Sequence, residues 1–580
     1  MKKKNMITAL LALVVMTTFG QVNTITDTYW RNEQTGDWMI GFAEKHIIYN
    51  NRVWEIVSQT EKKDAYTLTV DNGETIRVGK AKNGLRTIAI GNGRPTVCSQ
   101  ITTAALPDYP TKDFTPFKDN DYRAGDTATI VGWLKDWPAE ALGEKREIRV
   151  YVYKLFDYST DKRESIACGK VDSLGRFTVK IPIENTQHVD IFPNITTALE
   201  PGETYFLVND HKTGQRLMMG RSARVQNELL AHSIYPKNLA VSATRSMTQA
   251  QAIDMKNRLA SALERNMARV DSLLARHPML SRRCEDFLRM FMLCRAGESI
   301  MGMTEDFNLP AEVVGYVDSQ IWPNVRKPYT LNYYFNDFLC HHRQGAVGNL
   351  PLPHDWTGDP LAAAFKMTDA LYADPQLRDI SKAQQLCAQI EMLCAPLTES
   401  QLAFAEQIQR PGIRQKVLSL NDQYCALQQR DIRGGQSLRA NSDVADMSDG
   451  EKILQKITEP YRGRLILLDV WGTWCGPCKD ALSHSKEEFE RLKDYNLVYL
   501  YLANNSSDEA WKNVIKEYDL TGDDIVHYNL PAAQQSAIER FLNVQAFPSY
   551  RLIDRDGTVL DVDADPRNLE RLAGVLEKLK

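Results

Sequence analysis

The spacing of apolar residues along this 580-residue chain changes three times, and each change marks a different kind of structure. From about residue 22 to 110 the apolar residues fall in short, alternating runs at 53–57, 65–70, 75–78 and 86–90. Turns at Asp71-Asn72-Gly73, Lys82-Asn83-Gly84 and Gly91-Asn92-Gly93 separate them, so the stretch reads as a small antiparallel sandwich or meander. Its tryptophans Trp30, Trp38 and Trp54 fit a core better than a ligand face. A proline-rich linker at 106–117 leads to a second β unit over 119–217, with strands expected at 127–134, 148–156, 165–171, 177–183 and 205–209. From 222 to 429 the period becomes helical: Met255, Leu259, Leu263, Met267, Val270 and Leu274 follow a capping box at Thr248 and Gln251, and His277-Pro278 ends the helix. Further helices are expected at 281–301, 360–372, 375–393, 398–409 and 412–429. Long helices without a catalytic set suggest a spacer, a dimer face or a client-binding surface. Residues 430–449 are polar and aperiodic with paired glycines, which reads as a hinge.

Over 450–580 strands and helices alternate. An apolar run at 464–470 (RLILLDV) predicts a buried parallel strand, and residues 480–492 predict a helix. A strand at 497–503, helices at 508–518 and 533–542, a hairpin of 549–553 with 558–562 and a helix at 569–579 complete a sheet covered on both faces. The turn between the first strand and helix reads Trp471-Gly472-Thr473-Trp474-Cys475-Gly476-Pro477-Cys478-Lys479. This places Cys475 at a helix N-terminus, where free backbone N–H groups and the helix dipole stabilise a thiolate, the nucleophile of disulfide exchange. Cys478 is spaced to attack the resulting mixed disulfide. A structural zinc half-site is the alternative, but no second CxxC or close Cys/His pair accompanies it, so redox chemistry is the reading.

Lys2, Lys3 and Lys4 before an apolar run at 6–19 give the outline of a secretory signal over 1–20, with the cut after Gly20. An uncleaved anchor is the alternative. No cysteine follows the run to carry lipid, and no later stretch approaches a membrane span. An exported, soluble, periplasmic-type protein is expected. Hydrophobic residues make up 43% of the chain, charged residues 25%, and the net charge of −4 offers no basic field for nucleic acid. Of ten cysteines, eight lie outside the motif and read as small buried hydrophobes. Cys284 with Cys294 and Cys387 with Cys394 are spaced too widely along single helices to pair. Cys340-His341-His342 lacks further ligands at metal spacing and reads as a buried cysteine beside solvated imidazoles. Neither metal nor cofactor is expected.

The motif LLDVWGTWCGPCK, together with Val544-Gln545-Ala546-Phe547-Pro548-Ser549 and the following YRLIDRDG, resembles the exported TlpA/ResA-type thiol-disulfide oxidoreductases of thioredoxin fold. The resemblance covers under a quarter of the chain. Lys170-Val171-Asp172, Gly175-Arg176-Phe177 and Leu199-Glu200-Pro201-Gly202-Glu203 resemble the accessory β-sandwich found ahead of such domains. The implied architecture is multidomain: β-rich N-terminal domains, a central helical region and a C-terminal α/β thioredoxin-like domain. The implied roles are attacking thiol for Cys475, resolving thiol for Cys478, buried proton-handling acid for Asp469, and a cis peptide at Pro548 that leaves backbone groups for a client. Trp474, Gly476, Pro477 and Phe547 would contact the client, and Trp471 would either shield the sulfurs and touch the client or simply pack in the core. Disulfide-bearing clients and an upstream thiol donor are the implied partners.

Several positions depart from the family. Ser483 stands where many members have a helix-kinking proline, Phe547 where smaller residues are usual, and Ala546 for a common glycine. Strand 497–503 offers no lysine to Asp469. Two function classes follow: an exported oxidoreductase acting as reductant, or as oxidase or isomerase, and a cell-envelope binding protein with an accessory thioredoxin domain.

Overall fold

The computed structural model describes residues 25–102, 109–142, 146–153, 155–156, 165–192, 195–232, 234–244, 246–304, 308–347, 360–432 and 437–580. The expected leader at 1–20 lies outside them.

Strands β1 (Thr28–Asn32), β2 (Trp38–Phe42), β3 (His46–Tyr49), β4 (Arg52–Lys62), β5 (Ala65–Val70), β6 (Thr75–Val78), β7 (Leu85–Ile90) and β8 (Thr96–Ile101) pair in sequence order. β8 then returns to β1, pairing Ile101 with Tyr29 and Cys98 with Asn32, so the sheet closes into a barrel. The meander is as expected, but the sandwich alternative is replaced by closure, which leaves no sheet edge unpaired. Trp30, Ile40, Phe42, Ile47, Leu68 and Ile76 fill the barrel.

The second unit is a sandwich. β9 (Thr127–Lys135), β12 (Arg176–Pro182), β15 (Thr204–Asp210) and β16 (Arg216–Met219) form one sheet in the order β12-β9-β15-β16. β10 (Glu147–Val152), β11 (Ser165–Lys170), β13 (Gln187–Ile191) and β14 (Ile195–Leu199) form the other, in the order β11-β10-β13-β14. Barrel and sandwich share an apolar contact built from Tyr29, Trp38, Ile48, Trp133, Phe206 and Leu217. Beside it, buried Lys135 reaches Asp27 at 2.9 Å and Asp210 at 3.2 Å, and the Tyr29 hydroxyl donates to Asp210. Lys135 is thus held charged by three carboxylates, since Asp136 is also in reach.

The helical region comprises α1 (Arg224–His232), α2 (Gln249–Arg276), α3 (Arg282–Met301), α4 (Ala311–Tyr316), α5 (Phe335–Val347), α6 (Pro360–Leu371), α7 (Pro375–Leu393), α8 (Glu399–Ala405) and α9 (Pro411–Gln428). The capping box at Thr248 and Gln251 opens α2. His342 is buried, bonded to Asp318 at 2.7 Å and to the Tyr372 hydroxyl at 3.0 Å, rather than solvated.

The C-terminal part contains α10 (Gly450–Thr458), β17 (Ile466–Trp471), α11 (Gly476–Ser483), α12 (Ser485–Leu492), β18 (Val498–Ala503), α13 (Asp508–Glu517), β19 (Ile525–Tyr528), α14 (Ala532–Phe541), β20 (Ser549–Ile553), β21 (Val559–Leu560) and α15 (Leu569–Glu577). Its sheet runs β19-β18-β17-β20-β21, with β17 parallel to β18 and antiparallel to β20. One face packs Val444, Ile453, Ile466, Leu468, Val470 and Ile538. The other face, with Leu467, Trp471 and Tyr501, is continuous with the core of the helical region.

Within the stretch 430–449 read as hinge, residues 433–436 lie outside the described residues and 437–449 are docked on the C-terminal domain. Leu438 bridges His527 at the edge of β19, the His527 N–H donates to the Ser437 carbonyl at 2.8 Å, and Val444 is buried in the domain core. The spacing of Leu438, Val444 and Met447 follows no regular element, which is why a periodicity reading passes over it.

Candidate active site

The six residues of β17 are all buried, and the chain leaves the strand through Gly472. A Cβ on Gly472 would lie 2.6 Å from Trp474 Nε1, so only glycine lets the turn close this tightly. Cys475 follows as the N-cap of α11, extended at φ −89° and ψ 106°, and its Sγ accepts the Cys478 N–H at 3.1 Å. Pro477 sits in the first turn of the helix, where its missing N–H costs nothing. Cys475 and Cys478 are joined by a disulfide, with Sγ–Sγ 2.06 Å and Cα–Cα 5.3 Å. Cys475 is 4% exposed and Cys478 fully buried. Of the other cysteines, Cys98, Cys284, Cys294, Cys387 and Cys394 are buried as expected, whereas Cys340 and Cys425 are half-buried and Cys168 is exposed.

Across the turn lies the Phe547–Pro548 peptide, which is cis. The Phe547 ring stands edge-on to Trp474 with centroids 5.3 Å apart. Trp474 is 47% exposed, anchored by Nε1 donating to the Asn504 carbonyl at 3.1 Å, whereas Trp471 is wholly buried. Gly476 is half-buried and Pro477 exposed. The sequence-derived site residues therefore fall into two groups around one turn, sulfurs on one side and an apolar rim on the other.

Asp469 is buried in the centre of β17. Strand alternation puts it on the same face as Leu467 and Trp471, the face whose core contains both cysteines. Its register partners are Tyr501 on β18 and Tyr550 on β20, so a carboxyl flanked by two phenols crosses the sheet in one row. Asp469 Oδ1 and the Tyr550 hydroxyl have no hydrogen-bond partner among the described residues. Burial, reinforced by the charges of Glu488 and Asp565 and opposed by Arg567, holds the Asp469 carboxyl well above the usual range. The direction of that shift favours the protonated form of the carboxyl.

Glu488 was not singled out from the sequence. It lies on α12, half-buried at a cleft of about 480 Å³ lined also by Asp480, His484, Arg567 and Asn568, and burial pushes its carboxyl up to about 8. The spacing Ser485, Glu488, Phe489, Leu492 puts it on the buried face of the helix, a signal available in the sequence. Arg567 is engaged by Asp565 and stacks over Tyr550 at 5.9 Å, so it does not neutralise the pair outright.

The helical region reaches this site at the end of α7. Lys479 Nζ donates to the Glu391 carbonyl at 2.9 Å, and buried Asn513 donates to the Cys394 carbonyl at 2.7 Å. Cys394 ends the helix in a left-handed conformation, φ 48°, and its thiol lies 3.9 Å from the Thr473 carbonyl. Among the described residues no group of three His, Cys, Asp or Glu side chains converges as a metal site.

A family profile described as thioredoxin-like matches residues 463–559. The thiol-disulfide oxidoreductase ResA of Bacillus cereus (strain ZK / E33L) is 29% identical over 139 residues, 24% of this chain and 75% of that protein. ResA of Bacillus anthracis is 28% identical over 139 residues, with the same shares. A solved thiol-disulfide oxidoreductase from Bacteroides fragilis NCTC 9343 is 26% identical, covering 21% of this chain and 85% of its own, with a TM-score of 0.18.

Proposed function

The C-terminal part of this chain is a TlpA/ResA-like domain of thioredoxin fold, and from that premise we propose an exported oxidoreductase that reduces or exchanges client disulfides through Cys475 and Cys478. The observation that carries this reading is the Cys475–Cys478 disulfide at the N-terminus of α11.

In the reducing direction the Cys475 thiolate, stabilised by the amides opening α11, attacks a client disulfide and releases one client thiolate. Cys478 then returns its proton to the Asp469 carboxylate and attacks Cys475 Sγ. The second client sulfur leaves, two electrons pass to the client, and the disulfide seen here is the product. The way back needs a donor dithiol: one donor thiolate attacks Cys475, Cys478 leaves as a thiolate, and Asp469 supplies the proton that a buried sulfur requires. The second donor thiolate then frees Cys475. A carboxyl whose burial favours its protonated form, on the sheet face that packs with the cysteines, suits this step. Trp474, Gly476, Pro477, Phe547 and Pro548 frame the surface on which the client lies.

Export rests on the basic and apolar pattern of residues 2–19 and is checked by the N-terminus of protein recovered from the cell envelope, expected just after residue 20. Activity is checked by insulin reduction with dithiothreitol. Acceleration that disappears in Cys475→Ser is expected, and no acceleration by the intact chain sinks the reading. Equilibration against glutathione is expected to place the potential nearer about −270 mV than about −120 mV.

A further inference from the structure

Helix α7 inverts the usual pattern at its last turn. Along most of its length even polar side chains are covered, among them Gln376, Asp379, Ser381 and Gln384. Met392 and Leu393 are nevertheless 46% and 49% exposed. Two adjacent large apolar side chains in water, at the end of an otherwise buried helix, call for a partner.

Their position says which one. The residues on either side of the pair are pinned to the redox domain: the Glu391 carbonyl by Lys479, the Cys394 carbonyl by Asn513, and the Cys394 thiol against the Thr473 carbonyl. Thr473 is one residue from Trp474 and two from Cys475. Met392 and Leu393 are thus bracketed by residues that touch the turn and helix carrying the disulfide. The same turn exposes Trp474, edge-on to Phe547, as a further apolar side chain. The Lys479 ammonium that would otherwise make this ground polar is occupied by the helix terminus.

We infer that the last turn of α7 is a client-docking surface. Met392 and Leu393 receive bulky apolar side chains two or three residues from the client cysteine while its sulfur is bonded to Cys475. The inference rests on the oxidoreductase reading above. Its occupant is an extended polypeptide with apolar residues around its disulfide, the composition of a segment that belongs in a protein core. The covalent step brings that segment here: a sulfur bonded to Cys475 Sγ tethers its neighbours beside the turn that the end of α7 touches.

The test uses the full chain and three substrates: a disulfide peptide with leucine and phenylalanine near its cysteines, the same peptide with serine at those places, and 2-hydroxyethyl disulfide. The Met392→Ser/Leu393→Ser double variant changes exposed side chains only. It is expected to lower kcat/KM on the apolar peptide about fivefold to tenfold while leaving the serine peptide and the small disulfide unchanged. An unchanged rate on the apolar peptide, or an equal fall on all three substrates, overturns the inference. A shift in oligomeric state with unchanged peptide rates makes the strip a contact between copies and overturns it too. If the unmodified chain fails on the small disulfide, the oxidoreductase reading itself falls and takes this one with it.

Discussion

Asp469 and Glu488 are two carboxyls set in one apolar layer, and the consequences at the scale of single residues follow from their protons. Glu488 titrates near 4.5 when unfolded and about 8 when folded. Between those values the unfolded chain has released this proton and the folded chain keeps it, so stability falls as pH rises through that window. Below it the contribution is fully present. Glu488→Gln is expected to flatten the dependence and to melt higher than the parent at pH 9, by about 1–2 kcal/mol allowing for the side chain's partial exposure, in thermal unfolding across pH 5–9. Asp469→Asn retains shape but carries no exchangeable acid proton. It is expected to slow turnover at pH 7 by about tenfold to a hundredfold in the step that involves Cys478, while formation of the Cys475 mixed disulfide keeps its rate. Stopped-flow exchange with a chromogenic disulfide separates the two. The burial of Asp469 was legible because the acid stands within the apolar run RLILLDV. Its neighbours Tyr501 and Tyr550 were not, since strand register is set by tertiary pairing.

Among elements, the turn from β17 to α11 was readable in full because strand, turn and helix are contiguous. The stretch 480–492, expected as one helix, is two. Ser483 Oγ donates to the Asp480 carbonyl at 2.6 Å, the His484 ring contacts the same oxygen at 3.0 Å, and the His484 N–H turns to Ala481 instead. Side chains competing for a backbone carbonyl break the ladder between α11 and α12. Barrel closure was hidden for a different reason: β1 and β8 meet only after some seventy intervening residues, and no local pattern announces that pairing. Helix α10 crosses α14 at Gly450, where a Cβ would lie 2.1 Å from the Ala537 carbonyl oxygen. Gly450→Ala is expected to cost about 2 kcal/mol or more, read as a lowered melting temperature with the redox motif chemically intact.

Across the whole molecule the apolar core of the helical region runs into the cysteine-bearing face of the sheet, and residues 437–449 lie along its edge. Asn513 is the polar clasp in that contact, buried and bonded to the Cys394 carbonyl. Asn513→Ala leaves that carbonyl without its donor and is expected to cost about 1–3 kcal/mol. Hydrogen exchange should quicken in the last turns of α7 and leave the barrel strands unchanged; equal exchange in both proteins would mean the clasp does not hold the region in place. The clasp at Asn513, with Lys479 on the Glu391 carbonyl, also bears on how the enzyme meets its substrates. While it holds, the sulfurs are presented like a tool bolted to a bench rather than a head that sweeps a volume, and the workpiece is brought to them.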